Sequence, residues 1–361
     1  MVWPIKRGVI VGMAFELGTT VGDYEFLGAI DRSASGVTFK VKNLIAQRLE
    51  ALKVLAPNVS ENEEMAERFL REVKIHAGMV HPHIVTFYNA GRLNGQLVMT
   101  TELVDGVTLA QRLRSGPVAL EQALEWICQL LSALECAHGH GVIHRDITTE
   151  HILVAAGGMV KLAGFALARS NNDARLTQVG TVLGSLHYIS PEQIQGLSNL
   201  DARTDIYSVG VVLYELVTGR KPFDSVSQFQ LMASHVSEAP VPPIQLNREL
   251  SFELNHIVLQ ALAKQPDQRF QSASNFRERL ESVQRLLNRM TQAAPLRPLP
   301  TVPAPAAPEP APVVSAPIVP AAVQAIDEEE ITAFRFRRAA IALVIMLGLV
   351  ILLLGFSKVY R

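Results

Sequence analysis

Residues 142–154 read VIHRDITTEHILV, and this stretch decides how the rest of the chain is interpreted. It ends in the apolar run Ile152-Leu153-Val154, which is typical of a buried strand. The tripeptide His144-Arg145-Asp146 alone is a weak signal. It gains its weight from an ordered series of further segments, which are Ala51-Leu52-Lys53, then Glu72, and after the tripeptide Ser190-Pro191-Glu192. Chance production of the whole series in this order is negligible.

The pattern of apolar residues on either side predicts an α+β fold. Tyr24 to Leu55 is rich in β-branched and apolar residues, as is Leu97 to Leu103, and both predict strands. Glu61 to Ala77 has the four-residue spacing of a helix. Helices dominate after Leu120, with apolar stripes at Leu124, Ile127, Leu130, Leu131 and Leu134 and again over 206–217. We therefore expect a small β-rich lobe followed by a larger helical lobe.

Composition limits the partners of the chain. Its 361 residues are 48% apolar, enough for a sizeable core, and its formal net charge is −1. No general positive field attracts nucleic acid, so we predict no nucleic-acid partner. The two cysteines, Cys128 and Cys136, are about 12 Å apart along a predicted helix and cannot bridge each other. They are interpreted as small core residues in a reducing cytosol, and intermolecular pairing is left open.

The end of the chain differs from the rest. Ten of the twenty prolines lie within 295–320, which predicts an extended spacer reaching about 80 Å, with a partner-docking motif as the alternative. No charged residue occurs within 339–356, a segment about long enough to cross the hydrocarbon core as a helix. Basic residues are more numerous before it than after it, which favours a cytoplasmic amino-terminal side. The sequence predicts a single-pass protein of the inner (cytoplasmic) membrane.

The ordered segments resemble the protein kinase family, and the bacterial transmembrane serine/threonine kinases in particular, over about Tyr24 to Val283. The other matching segments are Arg71-Glu72, 81–85 (HPHIV), 177–181 (TQVGT), 205–210 (DIYSVG) and 263–270 (AKQPDQRF). The resemblance implies a two-lobed kinase fold that takes ATP and a protein substrate. The predicted organisation is an N-terminal extension (1–21), a kinase-like domain (22–290), a Pro/Ala-rich linker (291–330), a basic juxtamembrane segment (331–338), the transmembrane helix (339–356) and a short tail (357–361).

The resemblance also implies roles for single residues. Lys53, held by Glu72, would bind phosphates of ATP, and Asp146 would orient the substrate hydroxyl. Arg145 would pair with a phosphorylated activation segment, in which Thr177 and Thr181 are the candidate acceptors. Glu192 and Arg269 resemble the buried structural pair of the family. The nucleotide-binding positions would be Ile30, Gly36, Thr38, Ala51, Lys53, Thr101, Glu102, Val104 and Leu153.

Each of these positions also has an ordinary structural interpretation. Lys53 could be a strand lysine that extends to water. Asp146 could be a buried structural carboxylate, and Gly36 could serve only a hairpin turn. Thr177 and Thr181 could be solvent-facing loop threonines.

Departures from the family pattern concern the chemistry itself. Gly164 stands where the family has an aspartate that holds Mg²⁺, and His151 stands where it has an asparagine ligand. Imidazole nitrogen suits Mg²⁺ poorly, so we predict no protein metal site and weak or absent Mg²⁺ binding. Thr148 replaces the lysine of the catalytic loop. Asp31 and Ser33 replace two glycines of the phosphate loop, leaving Gly36.

Three functions fit these observations. The favoured one is a pseudokinase that binds protein partners and ATP at a lipid bilayer with impaired phosphotransfer. An active but atypical serine/threonine kinase is the main alternative, and a membrane anchor with a decayed domain is the third. The sequence leaves open whether the chain forms a homodimer. Gly164→Asp is expected, on the sequence alone, to introduce magnesium dependence.

Overall fold

In the computed structural model of the protein, the amino-terminal part consists of an antiparallel sheet and one helix. The structure describes residues 15–33, 36–56, 63–165, 169–170 and 185–292. Strands run in the order β1-β2-β3-β4-β6-β5, with antiparallel pairing throughout. Their bounds are β1 Thr20–Val21, β2 Tyr24–Ser33, β3 Gly36–Asn43, β4 Arg48–Leu55, β5 Phe87–Leu93 and β6 Gln96–Glu102, and helix α1, Glu63–Ala77, lies between β4 and β5.

Alternation along the strands gives this sheet two unlike faces. Phe39 and Leu52 are fully buried on one face, where the Phe26 ring packs 5.2 Å from that of Phe39 and 5.0 Å from that of Phe15. Along each strand, the residues directly before and after these point to the other face, because successive strand side chains alternate. That second face carries Lys53.

Helix α1 packs through its apolar stripe against the face of the sheet that carries Lys53. Phe69 is buried with Leu55 and Met99. The predicted helix over Glu61 to Ala77 is confirmed from Glu63 onward. Strands predicted over Tyr24 to Leu55 are also confirmed, as are those near Leu97 to Leu103.

The carboxy-terminal part of the described chain is helical. Two long helices, α3 Leu120–Gly139 and α5 Ala202–Thr218, form its centre, and the predicted apolar stripe of α3 is buried. Helix α5 begins at Asp201, whose side chain accepts a hydrogen bond from Arg203 N, and ends at Gly219 with a left-handed φ of +73°. The remaining helices are α2 Leu109–Arg114, α4 Pro191–Ile194, α6 Gln228–Ser237, α7 Pro243–Leu246, α8 Phe252–Ala261 and α9 Ala273–Gln292.

Short strands between the two parts hold the loop that carries His144 to His151. Strand β9 pairs with β7 on one side and with β10 on the other. Strand β8 precedes the loop and pairs with β11. Their bounds are β7 Gly106–Thr108, β8 Val142–Ile143, β9 Ile152–Ala155, β10 Val160–Leu162 and β11 Arg169–Ser170. The β-rich lobe followed by a helical lobe is confirmed.

Several predictions fall on other parts of the chain. Residues 293–330 of the predicted linker, the span at 339–356, Thr177 and Thr181 lie outside the described residues, whereas the first two linker residues belong to helix α9. Within the described ranges, no helix is both long enough and apolar enough to cross a membrane.

Candidate functional site

Lys53 and Glu72 form an ion pair between the sheet and helix α1. The Lys53 Nζ donates to both carboxylate oxygens of Glu72, at 3.2 Å to Oε1 and 3.1 Å to Oε2. Glu72 is 6% exposed, whereas the Lys53 side chain retains 20%. Ionised partners and partial burial make this a strong class of hydrogen bond. The pairing predicted from the sequence is therefore present.

Strand register places several predicted nucleotide residues on the face that carries Lys53. Thr38 lies opposite Lys53 in the β3–β4 pair, and Ala51 lies opposite Thr101 in the β4–β6 pair. Directly opposed residues of antiparallel strands share a face, as do residues two apart on one strand. The sheet thus groups Thr38, Ala51 and Thr101 around the lysine. Ile30 lies where the register of β2 with β3 shifts, and it is 51% exposed.

Gly36 has a structural reason to be glycine. It pairs with Ser33 at the β2–β3 hairpin. A Cβ atom built on Gly36 would lie 2.0 Å from the carbonyl oxygen of Val54. The close approach of β3 to β4 therefore demands a glycine here whether or not a phosphate binds.

Glu102, the last residue of β6, forms hydrogen bonds to Thr86 and Lys161. The Glu102 amide donates to Thr86 O at 2.8 Å, and its carboxylate accepts from Lys161 Nζ at 2.8 Å and from the Thr86 hydroxyl at 3.0 Å. Burial raises the pKa of Glu102, but the bonds from Lys161 and Thr86 outweigh burial and lower it. Leu153, on β9, pairs with Thr108 of β7. Val104 is half-buried between these elements.

Asp205 of helix α5 holds the backbone of the loop that carries Asp146. Its Oδ2 accepts from His144 N at 2.9 Å and lies 2.8 Å from His138 Nε2, and its Oδ1 accepts from Arg145 N at 2.8 Å. Burial of Asp205 raises its pKa, but the His138 hydrogen bond, followed by further nearby donors, lowers it below the usual range. Arg145 has a left-handed φ of +67°. The buried carboxylate of Asp205 thus stabilises the backbone turn at Arg145.

Asp146 lies at the partly buried end of that loop, in contact with His151. The Nδ1 atom of His151 is 2.8 Å from the carbonyl oxygen of Asp146 and 3.4 Å from its Oδ2. A carbonyl oxygen only accepts, so this Nδ1 carries a proton. Burial raises the pKa of Asp146, the His151 ring opposes that rise, and Glu150 adds to it. The position suits a carboxylate that orients a hydroxyl group.

Phe165 anchors the chain next to Gly164. The ring is 1% exposed and packs 4.7 Å from the ring of His144 and 5.2 Å from that of His76 on helix α1. Helix α1 and the loop are thereby joined through aromatic contacts. Gly164 itself has a left-handed φ of +86°.

A magnesium ion does not fit the residues at positions 151 and 164. Gly164 offers no side-chain ligand, and His151 offers an imidazole whose Nδ1 is already bonded to Asp146. Mg²⁺ prefers oxygen ligands in octahedral geometry. Over the part of the chain that the structure describes, no three His, Cys, Asp or Glu residues are placed to hold a metal ion.

A protein-family model, the protein kinase domain, matches residues 24–280. The chain belongs to the protein kinase family. The kinase domain is 40% identical over 243 residues to the serine/threonine-protein kinase PknB of Mycolicibacterium smegmatis, covering 65% of this chain and 39% of that protein. It is 38% identical over 249 residues to PknB of Mycobacterium tuberculosis, covering 67% of this chain and 40% of that protein.

A solved structure is similar to this kinase domain as well. The PknI kinase domain of Mycobacterium tuberculosis superposes with a TM-score of 0.58 at 26% identity, covering 75% of this chain and 99% of the PknI domain. These similar proteins are bacterial kinases. The chain spans about two fifths of the length of the curated PknB relatives named above.

Sequence reasoning missed several residues that organise the kinase domain. Asp205 was part of a matching segment, yet its hold on the loop depends on contacts distant in sequence. A second buried network joins Tyr188 to Thr149 at 2.8 Å and to Glu215 at 2.7 Å. No sequence signal indicates that network. The buried pair of Glu192 and Arg269 is confirmed, with two bonds of 2.7 and 2.8 Å.

Cys128 and Cys136 are free thiols in the kinase domain. Both side chains pack partly buried against the main core. Burial raises the pKa of Cys128 to about 12, which disfavours the reactive thiolate. The interpretation as core residues fits these surroundings.

Proposed function

We propose that this chain is a membrane-anchored signalling protein of the serine/threonine kinase family that acts as a pseudokinase. It binds protein partners and holds ATP through Lys53, and phosphotransfer is impaired. The observation that carries the proposal is the chemistry at positions 151 and 164, where an imidazole and a bare glycine stand in place of oxygen ligands. Phosphoryl transfer depends on metal ions that neutralise developing charge, so loss of their ligands removes a main source of rate.

Nucleotide binding is supported by what the site retains. Lys53 is held by Glu72, and its side chain lies on the second face of the sheet with 20% of its surface exposed. Thr38, Ala51 and Thr101 share that face, which offers a surface for the rest of a nucleotide. Lys53 binds phosphate oxygens as a point charge and needs no metal for that contact.

An active, atypical serine/threonine kinase is the second candidate. It is favoured by Asp146, which stays in its loop with its carboxylate partly buried, and by the intact Lys53–Glu72 pair. In this alternative Asp146 orients the hydroxyl of a protein Ser or Thr and Lys53 steadies the phosphates. The rate would be low because charge on the transferring group is poorly neutralised.

Membrane anchoring rests on the sequence of 339–356. The segment has no charged residue and is long enough to cross a bilayer as a helix. The linker at 291–330 would then hold the kinase domain away from the cytoplasmic surface. Protein partners and the bilayer are the proposed contacts of the chain.

Two measurements on the full-length chain separate the candidates. The first is binding of ATP and of a non-hydrolysable ATP analogue in EDTA, Mg²⁺ and Mn²⁺. The second is transfer of radiolabel from ATP to a generic protein acceptor, with Asp146→Ala as control. We expect nucleotide affinity that hardly depends on metal, and little transfer. Vigorous magnesium-dependent transfer that Asp146→Ala abolishes would establish the active kinase instead.

A further inference from the structure

The ring of His151 fills the space next to Gly164. A Cβ atom built on Gly164 would lie 2.6 Å from both Cγ and Cδ2 of His151 and 3.0 Å from its Nδ1. Contacts that close do not occur between real side-chain atoms, because non-bonded carbon atoms repel each other steeply well inside their optimal separation of about 3.5–4.0 Å. Any side chain at position 164 therefore requires the imidazole to move.

The imidazole is not a free flexible end. Its Nδ1 donates to Asp146 O at 2.8 Å, and its main-chain N–H donates to Thr148 O at 3.2 Å. The contact atoms include Cγ, which is two bonds from Cα and lies on the axis about which the ring turns, so rotation of the ring alone does not move it. Moving the ring breaks its bond to Asp146, the residue proposed to orient the substrate hydroxyl.

Gly164 is held equally firmly from the other side. Ala163 N donates to His151 O at 2.9 Å, which extends the β9–β10 hydrogen bonds to His151 and to the residue directly before Gly164. Phe165, which follows, is 1% exposed among aromatic rings. Neither backbone can retreat without disturbing the hairpin or that packing.

We propose that Gly164 and His151 are a matched pair, in which the imidazole occupies the volume that a metal-binding side chain at 164 would need. The loss of the metal site is then a steric property of two residues together. Neither Gly164→Asp nor His151→Asn alone restores a metal site, and only the double change makes room for one. This revises the expectation that Gly164→Asp alone introduces magnesium dependence. The steric contact is independent of the proposed function, and only the predicted effect on nucleotide binding rests on it.

A double-mutant cycle in the full-length chain tests the contact without any nucleotide. The four proteins are the parent, Gly164→Ala, His151→Ala and the double variant, and chemical denaturation gives their folding equilibrium constants. Gly164→Ala costs backbone strain in both backgrounds because φ is left-handed, so strain cancels in the cycle. The cost of overpacking remains only where the ring is present. We therefore expect Gly164→Ala to lower the folding equilibrium constant by a factor at least about ten times larger in the parent than in the His151→Ala background.

Gly219→Ala is the matched control. Gly219 also has a left-handed φ, +73°, but a Cβ there meets nothing within 4 Å. Its cost should be the same with His151 as with alanine. If Gly164→Ala unfolds the parent while the double variant folds, the rescue supports the proposal. Equal costs in both backgrounds, or unfolding of both, would show that the ring is not the obstacle and would overturn it.

A second arm measures the metal consequence by binding of a non-hydrolysable ATP analogue in EDTA and in Mn²⁺. We expect a metal-induced gain in affinity of about tenfold or more for Gly164→Asp with His151→Asn, and none for either single change. A gain in Gly164→Asp alone would overturn the matched pair. Binding absent from every variant, with the stability coupling intact, would refute the proposed nucleotide site while leaving the matched pair standing.

Discussion

Lys53 and Glu72, 19 residues apart in sequence, meet in a two-pronged hydrogen bond in which both carboxylate oxygens lie within 3.2 Å of the lysine Nζ. The bond joins the second face of the sheet to helix α1. The Glu72 side chain is 6% exposed and the Lys53 side chain 20%, so the lysine is the more accessible partner of the pair.

Lys53→Met should therefore remove nucleotide binding. Hydrogen bonds to charged groups contribute about 1.5–3 kcal/mol, so we expect the affinity for an ATP analogue to fall at least about tenfold. Calorimetric titration or a ligand-induced shift in thermal midpoint measures it. Lys74→Met, which removes an exposed lysine from the same helix as Glu72, should leave affinity unchanged. Unaltered binding in Lys53→Met would mean that Lys53 is only a strand lysine.

Arg269→Ala should be strongly destabilising. Arg269 is 2% exposed and donates to both oxygens of Glu192, so its removal leaves a buried carboxylate unpaired, at a cost of about 3–5 kcal/mol. Denaturant unfolding measures the change. Arg277→Ala is the comparison, because its partners are partly exposed, and its cost should stay below about 1 kcal/mol. Similar costs for the two variants would contradict the structural role of the buried pair.

Stability should fall in mild acid because of His144. Its Nε2 donates to Ala163 O at 2.9 Å and its Nδ1 accepts from Asp146 N at 3.3 Å, so the ring is neutral in the fold. Burial lowers the pKa of His144 from 6.5 to about 4. Between these values the unfolded chain takes up a proton and the folded chain does not, so stability is lost as pH falls.

The loss attributable to this ring is on the order of 3 kcal/mol, at about 1.4 kcal/mol per pH unit. Unfolding measured across that pH window in the parent and in His144→Phe checks it. The variant should show a shallower slope, although not a flat one, because burial also lowers the pKa of His235 to about 3. Identical slopes would show that His144 does not titrate in this way.

Gly36→Ala should destabilise the protein in the absence of any nucleotide. Its Cβ would overlap the Val54 carbonyl oxygen at 2.0 Å, and overpacking of this kind costs about 1–3 kcal/mol. Gly28→Ala, on the neighbouring strand, meets nothing within 4 Å and should cost less. If Gly36→Ala leaves the thermal midpoint unchanged and weakens only nucleotide binding, the phosphate-loop interpretation is the right one.

Removal of the residues after Gln292 should release the protein from membranes. The only segment of the sequence that we expect to cross a bilayer, 339–356, is then absent. Fractionation in high salt compares the full-length and shortened chains, since salt removes proteins that are bound only by charge. A shortened chain that still sediments with membranes would show that another part of the protein holds it there.

Local patterns in the sequence determined the order of strands and helices and the buried stripe of helix α3. These follow from periods of two and 3.6 residues, which each segment carries by itself. The resemblance to protein kinases implied the pairing of Lys53 with Glu72 and of Glu192 with Arg269. The absence of a carboxylate at position 164 also follows from the amino-acid sequence alone.

Only the tertiary structure decided how the altered positions fit together. The ring of His151 reaches Gly164 because β9 and β10 pair across a hairpin, and Asp205 reaches the loop from helix α5. Such contacts depend on side-chain volume and on the register between separate elements, and neither quantity is encoded in the pattern of one segment. The sequence by itself therefore determined that position 164 carries no carboxylate, and the packing decided that an imidazole occupies the space beside it.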